Sequence, residues 1–220
     1  MKKIIAFLSI LLSLSGCSMI DTQNIAPGYV EAFKTINLLI FGSTNNSITA
    51  ELIDNIPYAS STLKIGKGAP GLLILESIED DRHTWVSADN VFIVISEGRI
   101  IKTSGLRNNL TRFVSPLGSN TSLSAYVNSI LNYYYSYDSP LLIDLKVESQ
   151  IRVVGEQKVT LINQEKILTL VEEYIENDYL GWKATNKFWV DENNFIWKSV
   201  QNISPNLPPF YIEVTKKPAL

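Results

Sequence analysis

Short runs rich in valine, isoleucine, leucine, threonine and aromatic residues recur after residue 58, and Gly, Asn, Asp or Pro separate them. Runs of this kind are typical of β-strands. They predict strands near 59–66, 71–78, 83–88, 91–96, 99–104, 141–148, 151–162, 167–176, 183–190, 195–201 and 210–215. Short connections such as Glu97-Gly98 favour antiparallel hairpins. The pattern predicts a mainly β fold, an antiparallel meander curved into a barrel, a half-barrel or a sandwich.

Two stretches depart from this pattern. Over 27–41, apolar residues recur at spacings of three and four after Pro27, which predicts an amphipathic helix packed on the β domain. The region from 106 to 139 is the least regular. Within it, Ser122–Tyr135 suits a helix, a loop, or a boundary between two β subdomains with a break near 111–140. The helical alternative would turn five residues inward: Leu123, Tyr126, Val127, Ile130 and Leu131.

The first seventeen residues have the form of a secretory signal peptide: Lys2 and Lys3, an apolar stretch over 4–14, and small residues before Cys17. The end of this segment resembles the bacterial lipobox. That resemblance implies cleavage before Cys17 and a diacylglyceryl group, with acyl chains such as palmitate, on its thiol. Because aspartate after the cysteine tends to retain such lipoproteins in the inner membrane, Ser18 favours the outer membrane, facing the periplasm. The alternative is an ordinary secreted protein with a chance cysteine near its start.

The predicted organisation is therefore a signal peptide over 1–16, a lipidated tether over 17–26 and a single β-rich domain over 27–220. Cys17 is the only cysteine, so no disulfide can form within the chain. The formal net charge is −3, and no basic run appears, which speaks against a nucleic-acid partner.

Catalytic signals are weak. The chain has a single histidine, His83, and neither a G-x-S-x-G elbow nor an H-E-x-x-H motif. Two carboxylates would suffice for glycoside hydrolysis, and isolated acids stand at Asp89, Asp144, Asp178 and Asp191. Most residues of this kind cap turns or meet a lysine. We therefore expect no enzyme activity, no metal and no cofactor.

Tryptophans give a stronger signal for binding. Trp85, Trp182, Trp189 and Trp197 lie in or beside predicted strands. Their flat faces suit sugar rings, and the competing interpretation is that they fill the core. In Phe188-Trp189-Val190 and Phe195-Ile196-Trp197, alternation places the middle residue on the opposite sheet face from its neighbours. At least one tryptophan is therefore expected outside the principal core.

Several motifs together resemble the GfcB/YjbF lipoprotein family. They are the lipobox, Pro57-Tyr58-Ala59-Ser60, Gly71-Leu72-Leu73-Ile74-Leu75, Trp85-Val86-Ser87-Ala88-Asp89, the segment 98–110, Phe188-Trp189-Val190 and Lys217-Pro218. The resemblance covers nearly the whole mature chain except 111–140. It implies a mainly antiparallel β fold and an association with loci for surface polysaccharide, including the group-four capsule. The family has no established enzymatic chemistry, so only Cys17 acquires a definite role from it.

The leading hypothesis is a lipid-anchored periplasmic accessory protein in capsule or exopolysaccharide assembly or export. It would bind polysaccharide export proteins, glycan, or both. The alternatives are a carrier of an apolar ligand in a curved β cavity and a carboxylate-dependent glycan-modifying enzyme.

Arg99 or Lys102 is expected to neutralise Asp89 across a hairpin. The candidate glycan or partner contacts are Trp85, Asp89, Arg99, Lys102, Trp189 and Trp197.

Overall fold

The structure is a computed structural model that describes residues 48–117 and 123–218. These residues all belong to one compact unit, and their strands join in a single antiparallel sheet. The helical elements are α1 (Ala50–Asp54), whose first turn is capped by Thr49, and a 3-10 helix (Leu123–Tyr126). The twelve strands formed by the described residues are β1 (Ser60–Ile65), β2 (Gly71–Glu79), β3 (Arg82–Ser87), β4 (Phe92–Ser96), β5 (Arg99–Ser104), β6 (Leu110–Val114), β7 (Ile130–Asp138), β8 (Leu141–Thr160), β9 (Glu165–Asn177), β10 (Trp182–Val190), β11 (Ile196–Gln201) and β12 (Phe210–Lys216).

The sheet curves into a nearly closed barrel. Its strand order is β5-β4-β3-β2-β1-β12-β11-β10-β9-β8-β7-β6, so β1 and β12, the first and last of the described strands, pair in the middle. The two edge strands, β5 and β6, follow each other in sequence. The Leu110 backbone N–H on β6 donates to Thr103 Oγ1 on β5 at 2.9 Å. This contact links the two edges, which would otherwise expose unpaired backbone groups.

Two hydrophobic clusters fill the fold. The main cluster includes Trp85, Tyr133, Phe188, Ile196 and Ile212. A second cluster comprises Val159, Leu161, Leu168, Trp197 and Val214, with Trp189 and Phe195 packed against it. Alternation along the strands therefore separates neighbours in sequence into different clusters, as predicted for Phe188-Trp189 and Ile196-Trp197.

Most predicted strands are confirmed, and the barrel is the alternative that the structure selects for the β fold. Two predicted strands, 141–148 and 151–162, are one long strand, β8, with a bulge between Val153 and Gly155. The helix over Ser122–Tyr135 is wrong beyond the 3-10 turn. Leu131, Tyr133, Tyr135 and Tyr137 are all buried, so their side chains follow a period of two along β7. Strands β6 and β7 pair with each other and β7 pairs with β8.

The expectations for the signal peptide over 1–16, the tether over 17–26 with Cys17, and the helix over 27–41 lie outside the described residues. Within 48–117 and 123–218, no helix has the length and apolar character needed to cross a membrane.

Candidate binding cavity and buried polar network

A buried carboxylate, Glu173 on β9, is the centre of a polar network inside the main cluster. Its side chain is fully buried, and both of its oxygens accept hydrogen bonds from Arg99 of β5 at 2.8 Å. Tyr133 Oη and Ser149 Oγ each donate to Glu173 Oε1 at 2.8 Å. Asn186 Nδ2 donates to Glu173 Oε2 at 2.9 Å. One carboxylate thus joins strands β5, β7, β8, β9 and β10.

Two aromatic rings stabilise the guanidinium of Arg99 in this network. The Arg99 guanidinium carbon lies 4.9 Å from the centroid of the Phe188 ring and 5.3 Å from that of Tyr133, within range for cation–π attraction. Burial by itself would raise the pKa of Glu173, but the charge and hydrogen bonds of Arg99 lower this pKa below its ordinary value. Burial is also the main cause that raises the pKa of Tyr133, so its hydroxyl remains a donor. The pair is therefore ionised at neutral pH, and both oxygens of the carboxylate are hydrogen-bonded.

Gln201 of β11 makes further buried hydrogen bonds near the sheet edge, close to the network around Glu173. Its Oε1 accepts from the Ile100 backbone N–H at 3.0 Å, and its Nε2 donates to the Gly98 carbonyl at 2.8 Å. Ile100 belongs to edge strand β5, and Gly98 lies in the turn directly before that strand. A side chain from across the barrel therefore satisfies backbone groups that lack a neighbouring strand.

A cavity of about 120 Å³ lies where the two hydrophobic clusters meet. Trp85, Ile196 and Ile212 of the main cluster line one part of it, and Trp197 and Val214 of the second cluster line another. The β4–β5 turn and the β10–β11 turn contribute further lining residues, so the cavity lies at the barrel end that carries these turns. We call this feature the tryptophan cavity.

Asp191 bonds the side chain of Trp197 and the backbone of Phe195, two aromatic residues of the cavity lining. Asp191 Oδ1 accepts the backbone N–H groups of Asn193 and Phe195, each at 2.9 Å. Asp191 Oδ2 accepts from Trp197 Nε1 at 2.8 Å. The rings of Phe195 and Trp197 meet edge to face with centroids 5.0 Å apart. The Nζ of Lys166 lies 4.1 Å from the Trp197 ring centroid. Asp191 is thus a positioning residue for the cavity wall.

Trp85 on β3 is held differently. Its side chain is 3% exposed, and its indole Nε1 has no hydrogen-bond acceptor among the described residues. Two polar lining residues have other partners: Ser61 Oγ donates to the Glu213 carbonyl at 2.9 Å, and Lys198 pairs with the Glu213 carboxylate at 3.1 Å. A buried N–H group in this state is unusual in folded proteins. The indole N–H of Trp85 is therefore a buried donor that the described residues leave without an acceptor.

His83 also lines the tryptophan cavity. Its partial burial lowers the pKa of its imidazole below the ordinary value, although nearby Asp81 acts in the opposite direction. The neutral ring is thus favoured at neutral pH, and the charge of the cavity lining changes on acidification.

The structure brings together two of the predicted contact residues, Trp85 and Trp197, in one cavity. Trp189 is half-buried against the second cluster and is not a lining residue of the cavity, and its Nε1 donates to Gln157 Oε1 at 3.1 Å. Asp89 and Lys102 are exposed, and neither belongs to the cavity lining. Their role as glycan or partner contacts stays a prediction.

Arg99 requires a correction. The expected pairing of Arg99 with Asp89 is wrong, because both terminal nitrogens of Arg99 bind Glu173 inside the barrel. Its side chain is 8% exposed, so it is not available as a surface contact. The hairpin argument failed because it considered only neighbouring strands, whereas β5 also faces β9 across the interior.

The four isolated aspartates occupy separate places. Asp144 pairs with Arg112 at 2.8 Å on the surface, and Asp89 and Asp178 lie in exposed turns. Asp178 precedes the nine-residue strand β10 and Asp191 follows it. These two are therefore separated by about 30 Å along an extended strand. This exceeds the separation of a glycosidase carboxylate pair, which is at most about 10 Å. A pair of Asp178 with Asp191 is excluded.

Glu173 was missed, although the sequence held a signal for it. It stands between Val171 and Ile175, two positions at which β9 turns into the core. An acid at such a position indicates a buried charge that needs a partner. Among the described residues, no cluster of three or more His, Cys, Asp or Glu side chains has the arrangement of a metal site.

The first comparison concerns the amino-terminal motif and the fold. Residues 1–18 match the prokaryotic membrane lipoprotein lipid attachment site. The fold is similar to the crystal structure of the hypothetical lipoprotein YmcC from Escherichia coli K12, with a TM-score of 0.68 and 20% sequence identity over 86% of this chain and 97% of that chain. The chain is thus a membrane-anchored lipoprotein with a nearly closed antiparallel barrel.

The family follows from the match over most of the chain. Residues 33–215 match the family described as group 4 capsule polysaccharide lipoprotein gfcB, YjbF, and the chain belongs to that family. It is 22% identical to the uncharacterized lipoprotein GfcB of Escherichia coli (strain K12) over 189 residues, 82% of each protein. It is also 22% identical to the uncharacterized lipoprotein YjbF of the same strain over 173 residues, which are 77% of this chain and 81% of that protein.

Proposed function

We propose that this lipoprotein is an outer-membrane, periplasm-facing accessory protein that assists assembly or export of a capsule or exopolysaccharide by binding glycan. The family gives the association with capsule polysaccharide, and Ser18 after the lipidated cysteine favours the outer membrane. The observation that carries the binding role is the tryptophan cavity, with Trp85 and Trp197 in its lining. Polysaccharide export proteins are the expected protein partners.

Binding, rather than catalysis, is the role that this arrangement supports. Asp191 is engaged with a turn and with Trp197, and Glu173 is enclosed by five donors. Alanine substitution at Asp89, Asp144, Asp178 and Asp191 tests the catalytic alternative. We expect glycan products of unchanged structure; an altered linkage or modification would favour an enzyme.

The test of the process is a deletion strain in which surface, secreted and periplasmic polysaccharide are measured separately. We expect polysaccharide to accumulate in the periplasm and the wild-type chain to restore export. Cys17→Ala should fail to restore it. Ser18→Asp, which keeps the lipid but favours the inner membrane, separates the need for an anchor from the need for its location. Unchanged pools in the deletion strain would contradict the proposal.

The apolar lining of the cavity also favours a second candidate, a carrier of an apolar ligand. Native mass spectrometry of the protein purified from membranes distinguishes the two. A stoichiometric bound lipid, in addition to the covalent acyl chains, would favour the carrier.

A further inference from the structure

An open groove crosses the outer face of the barrel on strands β7 to β10. Its volume is about 640 Å³, against about 120 Å³ for the tryptophan cavity. Ser149, Glu173 and Ile175 are buried inside the barrel, so alternation turns the residues next to them outward. Gln150 and Tyr174 are such residues, and both are exposed and line the groove. The groove is therefore distinct from the Glu173 network and from the tryptophan cavity.

One row of uncharged side chains runs across this groove. The register places Ile130 of β7 opposite Gln150 of β8. Gln150 is opposite Tyr174 of β9, which in turn is opposite Thr185 of β10. All four residues are exposed and line the groove. Neighbouring strands lie about 4.8 Å apart, so the row is about 14 Å long and suits an extended ligand.

The charged side chains on both sides of this row are paired with one another. On one side, Glu172 pairs with Arg152 at 2.5 Å and with Lys187 at 3.3 Å. On the other side, Lys183 pairs with Glu176 at 2.6 Å. These cations are already balanced by carboxylates, which favours an uncharged ligand over an anion.

Tyr174 supplies an aromatic surface with a defined orientation. Its hydroxyl donates to Glu176 Oε2 at 2.8 Å, which orients the ring along β9, and 39% of the residue is exposed. The side chains of Gln150, Thr185 and Asn128 line the same groove and make no hydrogen bond to a described residue. Sugar rings have surfaces that match both features, because the C–H groups of one face pack on an aromatic ring while the hydroxyls at the edge bond amides and hydroxyls.

We propose that this groove binds an uncharged segment of the exported polysaccharide, with a sugar ring stacked on Tyr174 and its hydroxyls bonded to Gln150, Thr185 and Asn128. This inference rests on the proposed function, because it names a glycan-binding surface of the chain. An extended peptide fits less well. Strands β8 and β9 are paired on both sides at Gln150 and Tyr174, so their backbones offer no free edge to a peptide strand.

The experiment uses the mature acylated lipoprotein in phosphatidylcholine vesicles and isothermal titration calorimetry. The probe is an oligosaccharide fraction released by partial hydrolysis from the polysaccharide that the wild-type strain exports. The monosaccharides from complete hydrolysis of the same polysaccharide are the control for size. We expect heat of binding from the oligosaccharides and none from the monosaccharides at the same concentration, because a single ring covers only part of the row. Equal binding of the two fractions, or binding of neither, would overturn the inference.

The salt dependence of oligosaccharide binding tests the charge of the bound segment. Because the cations beside the row are paired with carboxylates, the affinity should stay constant as the NaCl concentration is raised. A steep loss of affinity would show that an anion is held by Arg152 or Lys187, since added salt screens exposed charges. That result would overturn the assignment to an uncharged segment.

A matched pair of variants tests the aromatic surface. Tyr174→Ala removes a ring from the groove, whereas Tyr211→Ala removes a ring that is similarly exposed, at 41%, from β12. Tyr211 is not a lining residue of the groove. We expect Tyr174→Ala to weaken oligosaccharide binding by about two- to tenfold and Tyr211→Ala to leave it unchanged. The same affinity in Tyr174→Ala as in the wild type would overturn the assignment.

A second substitution in the row tests its hydrogen bonds. Gln150→Met removes the amide at an exposed position and keeps the length of the side chain, so the urea midpoint should not change. The loss of one net hydrogen bond should weaken oligosaccharide binding by up to about tenfold. Wild-type binding that is unaffected by Gln150→Met and by Tyr174→Ala would leave the proposed function intact and remove this inference alone. Unchanged polysaccharide pools in the deletion strain would instead contradict the proposed function.

Discussion

Glu173 and Trp85 are both buried polar side chains of the same barrel, but their surroundings are opposite. Glu173 accepts from four neighbouring side chains, and its charge is matched by Arg99. Trp85 carries a donor with no acceptor among the described residues, beside a cavity. A satisfied network fixes the positions of the strands that it joins, because any displacement breaks several bonds at once. The Trp85 N–H takes part in no such network, so it places no comparable constraint on the neighbouring strands.

One atom of the network around Glu173 has no hydrogen-bond partner among the described residues. Arg99 Nε is buried without a partner among the described residues, although both terminal nitrogens bind Glu173. This nitrogen belongs to a guanidinium that is enclosed by Phe188 and Tyr133 rather than beside the tryptophan cavity. The Arg99 side chain is still fixed by Glu173 through its other two nitrogens, whereas the Trp85 indole has no hydrogen bond to a described residue.

The largest expected effect is at Arg99. Arg99→Met should destabilise the fold by about 3–5 kcal/mol at pH 7, because it leaves Glu173 buried without its cation. The measurement is urea unfolding followed by circular dichroism. Arg152→Met is the matched control. Arg152 pairs with Glu172 on the surface with 74% of its side chain exposed, and its loss should cost less than about 1 kcal/mol.

The pH dependence of the destabilisation by Arg99→Met separates the loss of charge from the loss of packing. In the wild type the pKa of Glu173 is lowered, so its stabilising contribution is present at neutral pH and is lost as pH falls through that pKa. Without Arg99, burial should raise this pKa above the unfolded value of about 4.3. The cost of Arg99→Met should then shrink between pH 7 and pH 4.5. A cost independent of pH would show that packing, not the unpaired carboxylate, is responsible.

Gly98 lies between the tryptophan cavity and Arg99 of the Glu173 network, and its substitution by alanine is the next prediction. It has φ +75°, lines the cavity and directly precedes Arg99. A Cβ there would overlap Ile196 Cδ1 and lie 2.7 Å from Ile196 Cβ. Gly98→Ala should therefore cost about 2–4 kcal/mol from backbone strain and overpacking together.

The control for this prediction is Gly181→Ala. Gly181 has φ +61°, but a Cβ there would meet no atom within 4 Å. Its substitution should cost only the backbone term, about 1–2 kcal/mol. Equal unfolding free energies for the two variants would show that the contact of Gly98 with Ile196 relaxes without cost.

The sequence predicted the barrel better than it predicted either polar region. Alternation and short turns located most strands, because both signals are local. Inward alternation at Val171 and Ile175 also marks Glu173 as buried. Its partner Arg99 is 74 residues away, so their contact depends on how the barrel closes and not on any local pattern.

The tryptophan cavity likewise could not be predicted from local sequence patterns. Trp85 and Trp197 were selected one by one for their aromatic faces, but no local feature places β3 and β11 around one volume. The strand order does so, because β1, β2 and β12 lie between them and curve the sheet. The missed strand β7 is a different case. Its alternating Leu131, Tyr133 and Tyr135 were a local signal that the helical interpretation of Ser122–Tyr135 obscured.

A pair of tryptophan substitutions sharpens the comparison within the cavity. Trp85→Phe and Trp197→Phe remove rings of the same size from positions that are 3% and 9% exposed. Trp197→Phe also breaks a bond to the Asp191 carboxylate, whereas Trp85→Phe removes a donor that has no acceptor among the described residues. In ligand-free protein, Trp197→Phe should cost about 1–3 kcal/mol more in unfolding free energy. A larger cost for Trp85→Phe would show that its N–H is bonded in solution.

The smallest expected effect is at His83, the titratable imidazole of the cavity wall. Burial lowers its pKa, with Asp81 opposing, so the unfolded chain binds a proton more readily than the folded one. Its contribution to stability is present above the unfolded pKa of about 6.5 and is lost as pH falls below that value. The difference in urea midpoint between pH 7.5 and pH 5.5 should therefore be slightly smaller in His83→Gln than in the wild type. Because His83 is the only histidine, its ring proton resonance reports the pKa without ambiguity, and a midpoint above 6.5 would contradict this account.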